Sequence, residues 1–253
     1  MTNSAKDMAE HILKRFDDEL SKLTGRIGKM SVLVQEQVAH ALTALFTGDS
    51  ALAIDVIEQD DKVDLYDIKI EKLCLRLLAL QQPVALDLRI VLSALSVNRA
   101  LERIGDGAVN IAERVEVLAR HPSLVAKTHI QHMGEVTAAM IKDALHAFLE
   151  ADVAMARGVA MRDNVIDEYD TQNFEILTGL MAQDPSLIEA ASRLLMVSRD
   201  IERLADEATN IAEEAVFVAD AKIVKHRGWG MNLGEDEEDG AEESEESEGT
   251  EGA

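Results

Sequence analysis

Two segments of this chain place carboxylates at helical spacing, and they are nearly copies of one another. Arg99-Ala-Leu-Glu102-Arg103-Ile-Gly-Asp106-Gly-Ala-Val-Asn110-Ile-Ala-Glu113 is matched by Arg199-Asp-Ile-Glu202-Arg203-Leu-Ala-Asp206-Glu-Ala-Thr-Asn210-Ile-Ala-Glu213, without a gap. On a helix, Glu102, Asp106, Asn110 and Glu113 fall within about 80° of one another, while Ile104, Ala108, Ile111, Val115 and Leu118 lie opposite, at about 160–240°. The apolar stripe must face a core, so the carboxylates are expected to point away from it. Glu202, Asp206, Asn210 and Glu213 obey the same count. A second ladder, Asp60, Asp64, Asp67 and Glu71, precedes the first segment, and Asp163, Asp167 and Asp170 precede the second.

Acids one turn apart repel, so four such ladders need counter-charge. Bound metal is one answer. Antiparallel neighbours would set two ladders side by side and build an all-oxygen site in each half. Carboxylates without histidine or thiolate suit Mg2+, Mn2+ or iron better than structural zinc. A salt-bridge lattice is the other answer, because Arg99, Arg103, Arg199 and Arg203 sit beside the acids. A ferritin-like redox enzyme is a third reading, weakened by the absence of Glu-x-x-His from the ladders. No nucleophile–base spacing and no Gly-rich phosphate loop appears.

The elements that must carry these ladders are helices. Phe16, Leu20, Leu23, Ile27 and Met30 recur at three- and four-residue spacing, and the pattern predicts a first helix over 4–46. Asp49 is the expected cap of a short helix from Ser50, followed by a long one over 60–80. Gln81-Gln82-Pro83 ends that one, because the residue before proline is pushed from helical geometry. A third helix is expected over 84–119, closed by His121-Pro122. The pattern then starts again, with helices over 123–149, from Asp152 or Asp163 to Met181, and over 187–225. The fold read from this is all-α, two tandem antiparallel three-helix bundles related by an internal repeat. The expected units are 1–120, 121–227 and an acidic, disordered tail over 228–253.

Composition narrows the partners. Aromatics are only 3% and prolines number 3, as suits helices packed through aliphatic residues. The net charge is −23, and from Gly234 onward there are eleven acids and no base. The remainder keeps 37 acids against 25 bases, which argues against nucleic acid as a ligand. The one cysteine, Cys74, lies in an apolar run and reads as a core residue in a reducing compartment. No run approaches the roughly 20 apolar residues of a membrane span. The seven histidines are scattered off the ladders, with His129 and His132 read as surface residues. Arg89 reads as a structural ion-pair partner near Asp87, and Trp229 as a candidate docking residue.

Gln82-Pro-Val-Ala-Leu-Asp87-Leu-Arg89, then Leu101-Glu-Arg-Ile-Gly-Asp106, then Leu204-x-Asp-x-Ala-Thr-Asn-Ile-Ala-Glu213 resemble the PhoU family of phosphate-uptake regulators. Phe16-Asp-Asp-Glu-Leu20 through Met30 is similar to its opening helix, and the resemblance spans about residues 8–225. It implies multinuclear metal clusters at Glu/Asp-x-x-x-Asp motifs, which fall here on Glu102 and Asp106, on Glu202 and Asp206, and on the matching acids Asp60, Asp64, Asp163 and Asp167. Zinc joins magnesium, manganese and iron as a candidate. The resemblance further implies a cytoplasmic, homodimeric, non-enzymatic negative regulator. Its implied partners are the ATPase of the phosphate ABC transporter and a membrane sensor histidine kinase. The family often carries His after the motif's Asp, where this chain has Gly107 and Glu207.

Overall fold

The computed structural model describes residues 3–224, and every described element is helical. The tail expected over 228–253, with Trp229, lies outside the described residues. Helix α1 spans Asn3–Thr47, α2 Ser50–Gln81 and α3 Ala85–Glu113. Two single turns follow, α4 at Val115–Leu118 and α5 at Pro122–Val125. Then come α6 Ile130–Glu150, α7 Val153–Gln183, a 3-10 turn Pro185–Leu187, and α8 Ile188–Asp220. Helices α1–α3 pack together, as do α6–α8, and α3 lies against α8.

Local chemistry explains the boundaries. The Asp49 carboxylate accepts from the Ala51 and Leu52 amides at 3.0 Å each, so α2 starts at Ser50 and runs unbroken, where two helices were expected. Gly48 adopts φ 69°, the left-handed turn that ends α1. Gln82 closes α2 at φ 46° ahead of Pro83. Asp152, not Asp163, opens α7, accepting from the Met155 amide at 3.0 Å. The third helix is shorter than expected. It stops at Glu113, where Arg114 turns its guanidinium back onto the Asn110 carbonyl.

The apolar stripes meet as the periodicity predicts. Leu23, Ile27, Met30 and Val34 of α1 interlock with Val63, Ile70 and Leu77 of α2 and with Ile104, Ala108 and Ile111 of α3, all at most 2% exposed. Each of these side chains larger than alanine stabilises the bundle by about 1.5–3 kcal/mol. Gly107 faces Leu204 on α8, and a Cβ there would sit 2.5 Å from Leu204 Cδ2, so glycine lets the helices approach. The contact also carries Arg114–Asp200 at 3.0 Å, both largely buried, exposed Arg103–Glu207 at 3.0 Å, and a Ser93 hydroxyl donating to Glu214 at 2.6 Å. Arg89 does not pair with Asp87. It donates to the Val218 carbonyl at 3.5 Å, near the negative end of α8.

Burial along α8 corrects one expectation. The ladder of the second half is not a surface feature, since Glu202 is 9% exposed and Glu213 4%. A stripe that faces solvent in an isolated bundle is covered here by its neighbours. The buried Arg114–Asp200 pair gives a direct test. Arg114→Met should lower unfolding free energy by about 3–5 kcal/mol by leaving buried Asp200 without its salt-bridge partner and with only the longer-range attraction of Arg203, whereas adding Asp200→Leu should restore most of the loss. Urea denaturation of the three chains measures both.

Candidate metal centre

Helices α2 and α3 run antiparallel, in a register fixed by two contacts. The Asn98 amide donates to Asp67 Oδ1 at 2.5 Å, and Gly105 lies against Asp60. This brings Asp60, Asp64 and Asp67 of α2 alongside Glu102 and Asp106 of α3. Their mutual electrostatics records the crowding. Burial raises the Asp60 carboxyl above its usual range, and neighbouring Asp64 and Asp106 raise it further. Glu102 is raised by burial and then by Asp106, Asp67 and Asp64. Asp106 is raised by burial and Asp64, and Asp67 by burial, Glu71 and Asp64.

The second half repeats the seam between α7 and α8. Burial pushes Glu202 up to about 7, and Asp206, Asp170 and Asp167 add to it against the pull of Arg199. Asp163 joins through its Oδ1, which accepts from the Thr209 hydroxyl at 3.4 Å. Positionally matched residues even share exposure: Asp64 and Asp167 face solvent, while Asp60, Asp67, Asp163 and Asp170 are half-buried.

Polar residues absent from the sequence-based set hold these acids. Buried Gln37 of α1 donates to Asp60 Oδ1 at 2.9 Å. Asn98 and Ser198 occupy the same position of the repeat, and each bonds its seam acid. The Ser198 hydroxyl donates to Asp170 Oδ1 at 2.8 Å and accepts from buried Asn173 at 3.0 Å. Extending the repeat one residue upstream of Arg99 and Arg199 would have exposed this pair, polar at core positions. Gln37 likewise stands as a polar residue on the apolar stripe of α1, though nothing in the sequence paired it with Asp60.

The distal repeat members go elsewhere. Asn110 and Asn210 line the groove between α3 and α8, where the Asn210 amide donates to Glu207 Oε2 at 3.2 Å. Glu113 is exposed, and its register sets it level with the first turns of α2, which have no acid of the ladder. Glu213 borders Leu92 and Ser96 of α3. Gly107 and Glu207, each following the Asp of its motif, belong to the α3–α8 contact and not to the seams. His129 and His132 are exposed and flank the Tyr169 ring, at 5.2 and 5.5 Å between ring centroids.

The donor set fits a hard cation. Each seam offers carboxylates only, crowded enough to favour protonation, and a divalent ion would relieve that repulsion. Among the described residues no three Asp, Glu, His or Cys side chains already close around one point. Ligation therefore requires side-chain rotation, which solvent-facing Asp64, Asp106 and Asp167 have room to make. Salt bridging competes in the second seam alone, where Arg199 contacts Asp170 at 3.3 Å and Glu202 at 3.2 Å. In the first seam Arg103 pairs with Glu207, and it and Arg99 reach Glu102 and Asp67 only at longer range.

Fold and site together define a helical-repeat protein that carries one carboxylate seam in each half. Residues 27–115 and 130–215 each match the PhoU domain. A PhoU homolog of Caulobacter vibrioides, described as a phosphate-specific transport system accessory protein, is 38% identical over 207 residues, covering 81% of this chain and 90% of that one. The equivalent Aquifex aeolicus protein is 39% identical over 210 residues, covering 83% and 95%. The crystal structure of PhoU from Pseudomonas aeruginosa superposes with a TM-score of 0.77 at 32% identity, covering 82% of this chain and all of that one. That of the Streptococcus pneumoniae phosphate transport system regulatory protein PhoU gives 0.73 at 31%, covering 83% and 99%. The chain belongs to the PhoU family.

The raised carboxyls predict how metal-free protein responds to pH. Folded Glu202 keeps its proton up to about 7, whereas the unfolded chain loses it near 4.5. Its contribution to stability is therefore complete below about pH 4.5 and lost as pH rises through about 7, amounting to about 3 kcal/mol at most. Denaturation from pH 5 to 8 in chelator should show falling stability, with Glu202→Gln flattening the slope. Saturating Mn2+ should reverse the fall at pH 8.

Proposed function

We propose that this chain is a negative regulator of phosphate uptake and of the phosphate-starvation two-component response. It acts by binding. In phosphate-replete cells it engages the ATPase of the phosphate ABC transporter and a membrane sensor histidine kinase, and it holds both in their quiet states. Membership in a family whose relatives are described as phosphate transport accessory proteins supports the phosphate assignment. In this reading the protein is cytoplasmic and homodimeric and reaches the membrane through partners; no helix among the described residues is long and apolar enough to cross a membrane.

The twice-built carboxylate seam carries the metal part of the reading. Asp60, Asp64, Glu102 and Asp106 would hold ions in the first half, and Asp163, Asp167, Glu202 and Asp206 in the second. Magnesium, manganese or iron suits these oxygens best, with zinc less suited. The ions would supply fixed positive charge on an acidic surface, and so a contact for an anionic patch of a partner. A metal-free scaffold accounts for the second seam through Arg199, yet it leaves the first seam without a salt bridge, Arg99 and Arg103 acting on Asp67 and Glu102 only at longer range.

Deleting the gene should raise alkaline phosphatase expression and phosphate uptake in phosphate-rich medium, and the wild-type chain should restore repression. A chain carrying Asp64→Asn, Glu102→Gln, Asp167→Asn and Glu202→Gln should fold but fail to restore it. Unchanged uptake and phosphatase expression in the deletion strain would sink the regulatory reading.

A further inference from the structure

One surface stands apart from the acidic remainder. Between α1 and α2, on the side of the first bundle away from α8, lies an open groove of about 660 Å3. Its floor is apolar, with Val32 54% and Leu65 50% exposed beside Leu33 and Tyr66. Its rim is basic. Lys29, Lys62 and Lys69 border it, and the Lys69 ammonium lies 5.4 Å from the centre of the Tyr66 ring. The Arg26 guanidinium, donating to the Lys69 carbonyl at 2.8 Å, adds a fourth cation. At Gly28 an added Cβ would meet nothing within 4 Å, so that part of the groove is vacant space along α1. In a chain of net charge −23, four cations on one apolar groove form a local exception.

The same chain carries a segment of opposite character. Met231 and Leu233 lead directly into Glu235-Asp236-Glu237-Glu238-Asp239, and six further acids follow without a base. Apolar residues followed by an acidic run match a groove with an apolar floor and a lysine rim. Length allows the meeting. Leu233 lies nine residues beyond Val224, within about 31 Å at full extension, and Asp239 within about 50 Å. Three helices packed 8–10 Å apart make a bundle only about 25 Å across. Tethering also holds the segment at an effective concentration on the order of millimolar, so a weak contact suffices.

We propose that the α1–α2 groove is a docking site for residues 231–245 of the same chain, a self-contact that any partner using this groove must displace. The contact rests on charge and apolar complementarity and does not depend on metal in the seams.

A nitroxide on full-length Ser247→Cys reports it, since Cys74 is buried and its thiol is pushed up to about 12, out of reach of labelling. The label should broaden backbone amide signals of residues 25–33 and 62–69 selectively, and 0.5 M NaCl should remove at least half of the effect. Gly28→Glu, which fills vacant space with like charge, should abolish it, as should joint Lys29→Ser, Lys62→Ser and Lys69→Ser. Unchanged amide spectra elsewhere would show that both variants fold. Broadening spread evenly over the surface, or surviving both variants, would overturn the proposal. So would broadening seen only when isotope-labelled chains are mixed with nitroxide-labelled ones, which would assign the groove to a second copy's tail.

Discussion

Like charge held in place is the constraint around which this fold is arranged. Each half confines five acids to the seam between two antiparallel helices, at Asp60, Asp64, Asp67, Glu102 and Asp106, and again at Asp163, Asp167, Asp170, Glu202 and Asp206. Left to themselves, such side chains would splay into water. Several are prevented from doing so. Gln37 grips Asp60, Asn98 grips Asp67, and Ser198, backed by buried Asn173, grips Asp170. These hydrogen bonds favour ionised carboxylates, yet burial and repulsion prevail and raise Asp60 and Asp67. Retained repulsion of this kind is costly without a counter-ion, and it is what makes metal the economical reading of both seams.

The two seams are not equivalent. The first is edged by exposed Arg103, which leaves to pair with Glu207 across the inter-bundle contact. The second keeps Arg199 on Asp170 and Glu202, and its Glu202 is buried. The asymmetry is not one of packing partners, since α3 lies on α1, α2 and α8 much as α8 lies on α6, α7 and α3. It lies in the arginines, Arg103 being drawn across the α3–α8 contact to Glu207 while Arg199 stays on the acids of its own seam. Arg114–Asp200 arises from the same geometry, and it ties the end of one bundle to the middle of the last helix of the other.

Much of this was legible in the residues. The 3.6-residue periodicity gave the helices, Asp49, Pro83 and Asp152 marked boundaries, and the Arg99/Arg199 repeat showed that a polar face had been duplicated with its scaffold. What escaped was tertiary. A helical wheel assigns Glu113 and Glu213 to the ladder face, but it contains no register, so it could not show that Glu113 lies beyond the acids of α2. Nor could it show that Glu202 is buried within its own seam and that Glu213 borders α3. Asp49 caps a helix that continues through Asp60, because nothing between Ser50 and Asp60 breaks it. Gln37 stood on the core-facing stripe of α1, but its partner Asp60 came into view only with α2 packed against it.

The central claim is that each seam binds divalent metal through its own carboxylates. Calorimetric titration of chelator-treated protein with Mn2+ tests it most directly. The wild-type chain should show binding in two classes, one per half. Asp64→Asn with Glu102→Gln should remove one class and leave the other, and Asp167→Asn with Glu202→Gln should do the converse. Absence of binding at millimolar Mn2+, or isotherms unchanged by both pairs of substitutions, would contradict the account.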